Sequence, residues 1–116
     1  MTLIHQRECV RLQPPTHFNS RGGITFQQQV AALEPEKGDT WLIDMAQVEF
    51  IDSAGILSLV SALNLAHRQG CRVTVCHLRP AIRLIFEITQ LDRAFDIVDG
   101  SNVDLSVSIA PEPVAA

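Results

Sequence analysis

Asp52-Ser53-Ala54-Gly55 places a carboxylate, a hydroxyl and a glycine within four successive residues. Val48 to Ser53 read as an apolar strand reaching its polar edge, and the ten residues that follow read as a buried helix. The corner between them has no room for a loop. A serine there suits three chemistries: nucleophile, helix cap or phosphate acceptor. The nucleophile reading would draw a base from His67 or His77, but a hydrolase elbow needs G-x-S-x-G, and Ile51 stands where the first glycine belongs. No phosphate-binding P-loop or dinucleotide glycine fingerprint is present, so no catalytic residues are assigned.

As a cap, Ser53 is expected to accept a hydrogen bond from a free N–H of the helix's first turn. Gly55 is harder to explain, because a glycine inside a helix costs ~1 kcal/mol relative to alanine. It lets another group approach the backbone closely. A phosphate on Ser53 would be favoured by the helix dipole and the free N–H groups. It would add a charge of about −1.5 to −2 beside Asp52 without a refold, and so repel a partner packed over the corner.

The rest of the chain limits the alternatives. At 116 residues, with 47% hydrophobic and 19% charged residues, it holds material for one domain with a real core. The net charge of −4 and the scattered basic residues leave no footprint for nucleic acid and no polybasic membrane anchor. No apolar run approaches the ~20 residues of a membrane helix. The polar "MTLIHQRECVRL" does not read as a signal peptide, so a cytoplasmic location is expected. Cys9, Cys71 and Cys76 form no CxxC pair and read as reduced thiols in the core. His5, His17, His67 and His77 are far apart in sequence and read as ordinary surface or half-buried residues. No set of ligands at zinc spacing is visible, and no metal or cofactor is expected.

The elements that position the corner alternate. Glu8–Leu12 reads as a strand, and "QPPTHFNSRGG" as a turn-rich connection with a short strand near His17–Phe18. A helix follows with Ile24, Gln27, Val30, Ala31 and Leu33 at helical spacing, stopped by Pro35 and Gly38. Thr40–Val48 is a central strand candidate, its Trp41-Leu42-Ile43 run suited to a strand covered on both faces. Ala54 to Gln69 is the clearest helix: Ile56, Leu59, Val60 and Leu63 form its stripe, Leu57 widens it, and Gly70 stops it. Cys71–Leu78 reads as a strand, Pro80 to about Leu91 as one helix, and Phe95–Gly100 as a last short strand. Such alternation implies an α/β domain with a mostly parallel sheet and helices mainly on one face. The domain is expected over residues 1–110, with a frayed tail at 111–116.

Residues 40 to 98 resemble the STAS domain family, the anti-sigma factor antagonists. The resemblance rests on Asp52-Ser53-Ala54-Gly55-Ile56 opening a helix, on Gly70, on the run from Pro80 through Leu91, and on Phe95-Asp96-Ile97. Upstream, Phe18-Asn19 take the place of the Leu-Asp in the family's L-x-G-x-L-D stretch, with Thr16 at the glycine. The resemblance implies a STAS-like fold, no enzymatic activity, and Ser53 as the phosphorylated serine. It also implies a partner-binding rim of Asn19, Ile51, Asp52, Ala54, Gly55 and Ile56, in which Asp52 tunes the serine and Ile51 and Ile56 supply apolar contact. The implied partners are an anti-sigma factor that is a serine kinase with a histidine-kinase-like ATPase fold, and a metal-dependent serine phosphatase. The alternative is a constitutive STAS subunit of a transporter or signalling scaffold, in which Ser53 only caps the helix.

Overall fold

A computed structural model describes residues 9–98. The expected tail at 111–116, Gly100 and the domain boundary at 110 lie outside the described residues. Six strands and four helices alternate: β1 (Cys9–Leu12), β2 (His17–Phe18), α1 (Ser20–Ala31), β3 (Thr40–Asp44), β4 (Phe50–Ile51), α2 (Ser53–Arg68), β5 (Arg72–Cys76), α3 (Pro80–Ile88), α4 (Leu91–Ala94) and β6 (Asp96–Val98). Four strands form a sheet in the order β1-β3-β5-β6, and β2 pairs with β4 in a separate two-stranded ladder. Every pairing among the described residues is parallel.

Each step from β1 to β3, β5 and β6 moves one position in the same direction. Right-handed crossovers then carry the intervening helices over one face of the sheet. Side-chain alternation agrees. Leu12, Trp41, Ile43, Val73 and Val75 join one apolar cluster with Phe26, Val30, Leu59, Leu63, Ile82 and Phe86 of the helices. Arg11, Leu42, Asp44, Thr74 and Cys76 occupy the alternate positions and point to the opposite face. The α/β class, the parallel sheet and the one-sided helices are therefore as expected.

Four local expectations change. The first helix begins at Ser20, not near Ile24, and takes in Gly22 and Gly23. Gly23 is tolerated there because α1 crosses α2 closely; a Cβ would run into the Ser58 side chain. The apolar run at Thr40–Val48 is not one strand: β3 ends at Asp44, a turn takes in Ala46 and Gln47, and β4 starts afresh at Phe50. The helix opened by Pro80 ends at Ile88, because Gln90 adopts a left-handed conformation (φ 64°) before α4. The cap of α2 also moves, as described below.

Asp44, at the C-terminal end of β3, is 1% exposed and needs partners. It has four. Arg11 Nη2 and Gln13 Nε2 donate to Oδ2, and the Ala46 N–H donates to Oδ1 over 3.0 Å. His77 Nδ1 lies 2.9 Å from the same Oδ1. The carboxylate thereby ties β1, the turn after β3 and the exit of β5. Burial pushes the Asp44 carboxyl up, but Arg11, the Ala46 N–H and His77 together outweigh it and hold the group below its ordinary 3.8. A depressed folded-state value contributes stability that is complete above the ordinary value and lost as pH falls through the lowered one. Urea unfolding below pH 3.8 should therefore show an acid-dependent loss of stability that shrinks in Asp44→Asn. An unchanged acid limb in that variant would remove Asp44 as a source of it.

Candidate functional site

The corner is built by the short ladder. His17 pairs with Phe50 and Phe18 with Ile51, so the next residues, Asn19 and Asp52, leave adjacent parallel strands together. Both are N-caps. Asn19 Oδ1 accepts from the Gly22 N–H at 2.9 Å and starts α1. Asp52 Oδ1 accepts from the Ala54 and Gly55 N–H groups at 3.0 and 3.2 Å and starts α2. Two helices of 12 and 16 residues thus begin side by side, and their positive ends converge on one patch.

Asp52 therefore does the capping expected of Ser53. An acid is as good a cap as a hydroxyl, and its side chain reaches two N–H groups from the extended residue before the helix. Ser53 becomes the first helical residue. It is exposed, and its hydroxyl has no hydrogen-bond partner among the described residues. No hydrogen bond among them joins it to a histidine.

Gly55 has a local cause. The Phe18 carbonyl, which accepts from the Asp52 N–H at 3.3 Å, lies where a side chain would start. A Cβ at residue 55 would collide with that carbonyl oxygen and come within 2.9 Å of Ile51 Cγ1. The close approach that glycine permits is made by the chain's own backbone.

The expected rim divides accordingly. Ser53 is exposed, while Asn19, Asp52, Ala54 and Ile56 are half-buried. Ile51 is 6% exposed and Gly55 is buried, so these two shape the corner from beneath. Sequence reasoning missed the apolar part of the surface. Ile24, Phe50 and Leu57 are 62%, 48% and 65% exposed, three of the five large hydrophobics exposed among the described residues. Leu57 stands one turn beyond Ser53 on α2, Phe50 lies on β4, and Ile24 follows the glycine at the α1–α2 crossing. Helical spacing in the sequence places Ile24 and Leu57 in buried stripes. An earlier start to α1 and a phase set by Leu59, Ala62 and Leu63 turn them outward.

A second constellation lies at the C-terminal ends of β3 and β5. Asp44, Cys76 and His77 each offer one donor atom, and the three atoms lie within 4.8 Å of one another. Cys76 Sγ is 3.4 Å from His77 Nδ1. Burial, followed by the nearby Asp44 charge, pushes the Cys76 thiol up to about 11. Cys71 and Cys76 are buried free thiols, as expected, and Cys9 is half-buried.

With this geometry in place, one comparison decides the family. The family model described as "Mlab, STAS domain" matches residues 1–99. The chain belongs to the STAS domain family. The match includes the first forty residues, where β1, β2 and the Asn19 cap lie, beyond the segment that carried the resemblance. STAS domains are in general non-enzymatic and of the anti-sigma factor antagonist type. No helix among the described residues is long and apolar enough to cross a membrane.

The two assignments at the corner separate by mutation. Asp52→Ala should lower unfolding free energy by about 1 kcal/mol through the lost cap. Ser53→Ala should stay within about 0.5 kcal/mol of the parent, as for a surface change away from such features. Chemical denaturation compares them, and equal losses would return the cap to Ser53.

Proposed function

We propose that this STAS domain is a phosphorylation-controlled partner-switching regulator that acts through the corner at Ser53. The observation that carries the reading is the division of labour between Asp52 and Ser53. Asp52 satisfies the helix start, which leaves the serine hydroxyl exposed at the shared positive end of α1 and α2. Unmodified, the surface offers Ile24, Phe50 and Leu57 as apolar contacts around a small hydroxyl. The partner is an anti-sigma factor that is also a serine kinase with a histidine-kinase-like ATPase fold.

Kinase action transfers the γ-phosphoryl group of ATP to Ser53 Oγ and releases ADP and the hydroxyl proton. The product carries about two negative charges beside the Asp52 carboxylate, which a partner packed over the apolar rim would have to desolvate. The complex then dissociates. A metal-dependent serine phosphatase hydrolyses the ester and restores the binding form. The use of ATP and an intracellular kinase gives the protein a cytoplasmic role.

A second reading uses the same rim without the switch: constitutive docking on a transporter ATPase or a signalling scaffold. The exposure of Ile24 and Leu57 favours it, since apolar contact needs no modification. One experiment separates the two. The protein is recovered from its own cells with phosphatase inhibitors present, and its intact mass and co-purifying proteins are compared with those of Ser53→Ala and Ser53→Asp. The switch gives one phosphate on Ser53, none in Ser53→Ala, and loss of the partner from Ser53→Asp at an unchanged melting temperature. An unmodified Ser53, with the partner retained by Ser53→Asp, contradicts the switch and leaves constitutive docking.

A further inference from the structure

From the second constellation we infer that Cys76, His77 and Asp44 form a site for a thiolate-accepting divalent transition metal of the zinc class. The fold assembles it. Asp44 and Cys76 are register partners at the ends of β3 and β5, so their side chains point to the same face of the sheet. His77 follows immediately in a left-handed backbone conformation (φ 60°), which is uncommon outside glycine and costs energy. That turn brings Nδ1 to 2.9 Å from Asp44 Oδ1 and 3.4 Å from Cys76 Sγ. A single ring nitrogen faces two groups and can serve only one of them with its proton or lone pair.

The donors are the sulfur, imidazole nitrogen and carboxylate oxygen that zinc takes, and three protein ligands with a further open position is a familiar zinc arrangement. A tetrahedral centre with Zn–N and Zn–O near 2.0–2.1 Å and Zn–S near 2.3 Å separates its ligand atoms by about 3.3–3.6 Å. The Nδ1–Sγ and Nδ1–Oδ1 separations of 3.4 and 2.9 Å are within a fraction of an ångström of that spacing, and the three donor atoms all lie within 4.8 Å of one another. Asp44 keeps its other supports. Arg11 and Gln13 hold Oδ2, and the Ala46 N–H takes one lone pair of Oδ1, so the ion would replace the His77 contact on the other. Arg11 also offsets part of the negative charge of the donor set. His77 is about one quarter exposed, at 27%, so the site has a side open to solvent for entry and for a fourth ligand. The side chains belong to the sheet face opposite the helices, so the site is separate from the Ser53 corner.

Cobalt(II) titration of the full-length, reduced protein tests this. Expected is a saturable sulfur-to-cobalt charge-transfer band with one equivalent bound, displaced by zinc. It should be abolished in Cys76→Ser and weakened at least tenfold in apparent affinity in His77→Gln. Cys9→Ser and Cys71→Ser should retain it. Circular dichroism checks that each variant folds, and His77→Gln, which keeps a polar side chain at a partly exposed position, carries the test if Cys76→Ser does not fold. No charge-transfer band, a band that survives in the Cys76 and His77 variants, or one lost with Cys9 instead would overturn the assignment.

Discussion

The Phe18 carbonyl is the point on which the corner depends. It accepts the Asp52 N–H and occupies the space beside Gly55 that any other residue would fill. Through it β2 is held against the first turn of α2, and the two-residue ladder keeps Asn19 and Asp52 in step. Two hydrogen-bonded residue pairs are a weak sheet by themselves. They persist because Phe18, Ile51, Met45 and Val48 are buried in the main core beneath them. The packing of apolar side chains thus fixes where two helix dipoles end, and hence where an exposed hydroxyl meets their field.

The four-stranded sheet and the corner do different work. Parallel pairing with one-sided helices gives the chain a helix face rich in Trp41, Ile43, Val73 and Val75, and an opposite face that carries Arg11, Asp44 and Cys76. The buried Asp44 charge is satisfied, with four partners around its two oxygens. The surface at Ser53, in contrast, leaves a hydroxyl and large apolar side chains exposed.

Much of the layout was legible because periodicity is a local property. The strand alternation, the Ile56–Leu63 stripe, the Gly70 stop and Pro80 at the start of α3 all follow from neighbours a few residues apart. What was not legible depended on contacts between distant segments. Gly22 and Gly23 read as a turn because nothing nearby shows that the His17 carbonyl packs against the first and Ser58 against the second. Gly55 read as room for a partner, whereas the group that approaches belongs to residue 18. Asp52 and Ser53 are both good caps, and only the backbone at residue 52, extended before the helix, decides between them. The Asp44–Cys76–His77 grouping escaped spacing rules because strand register, not sequence distance, unites it.

Unfolding free energy of Gly55→Ala, measured by urea denaturation, tests the role of the Phe18 carbonyl most directly. Helix propensity alone would make this variant more stable by about 1 kcal/mol. Displacement of the carbonyl and of Ile51 should instead cost about 1–3 kcal/mol, as for other forced insertions into packed structure. A net loss of that size supports the account. A gain in stability would contradict it, because the ladder would then not be seated on residue 55.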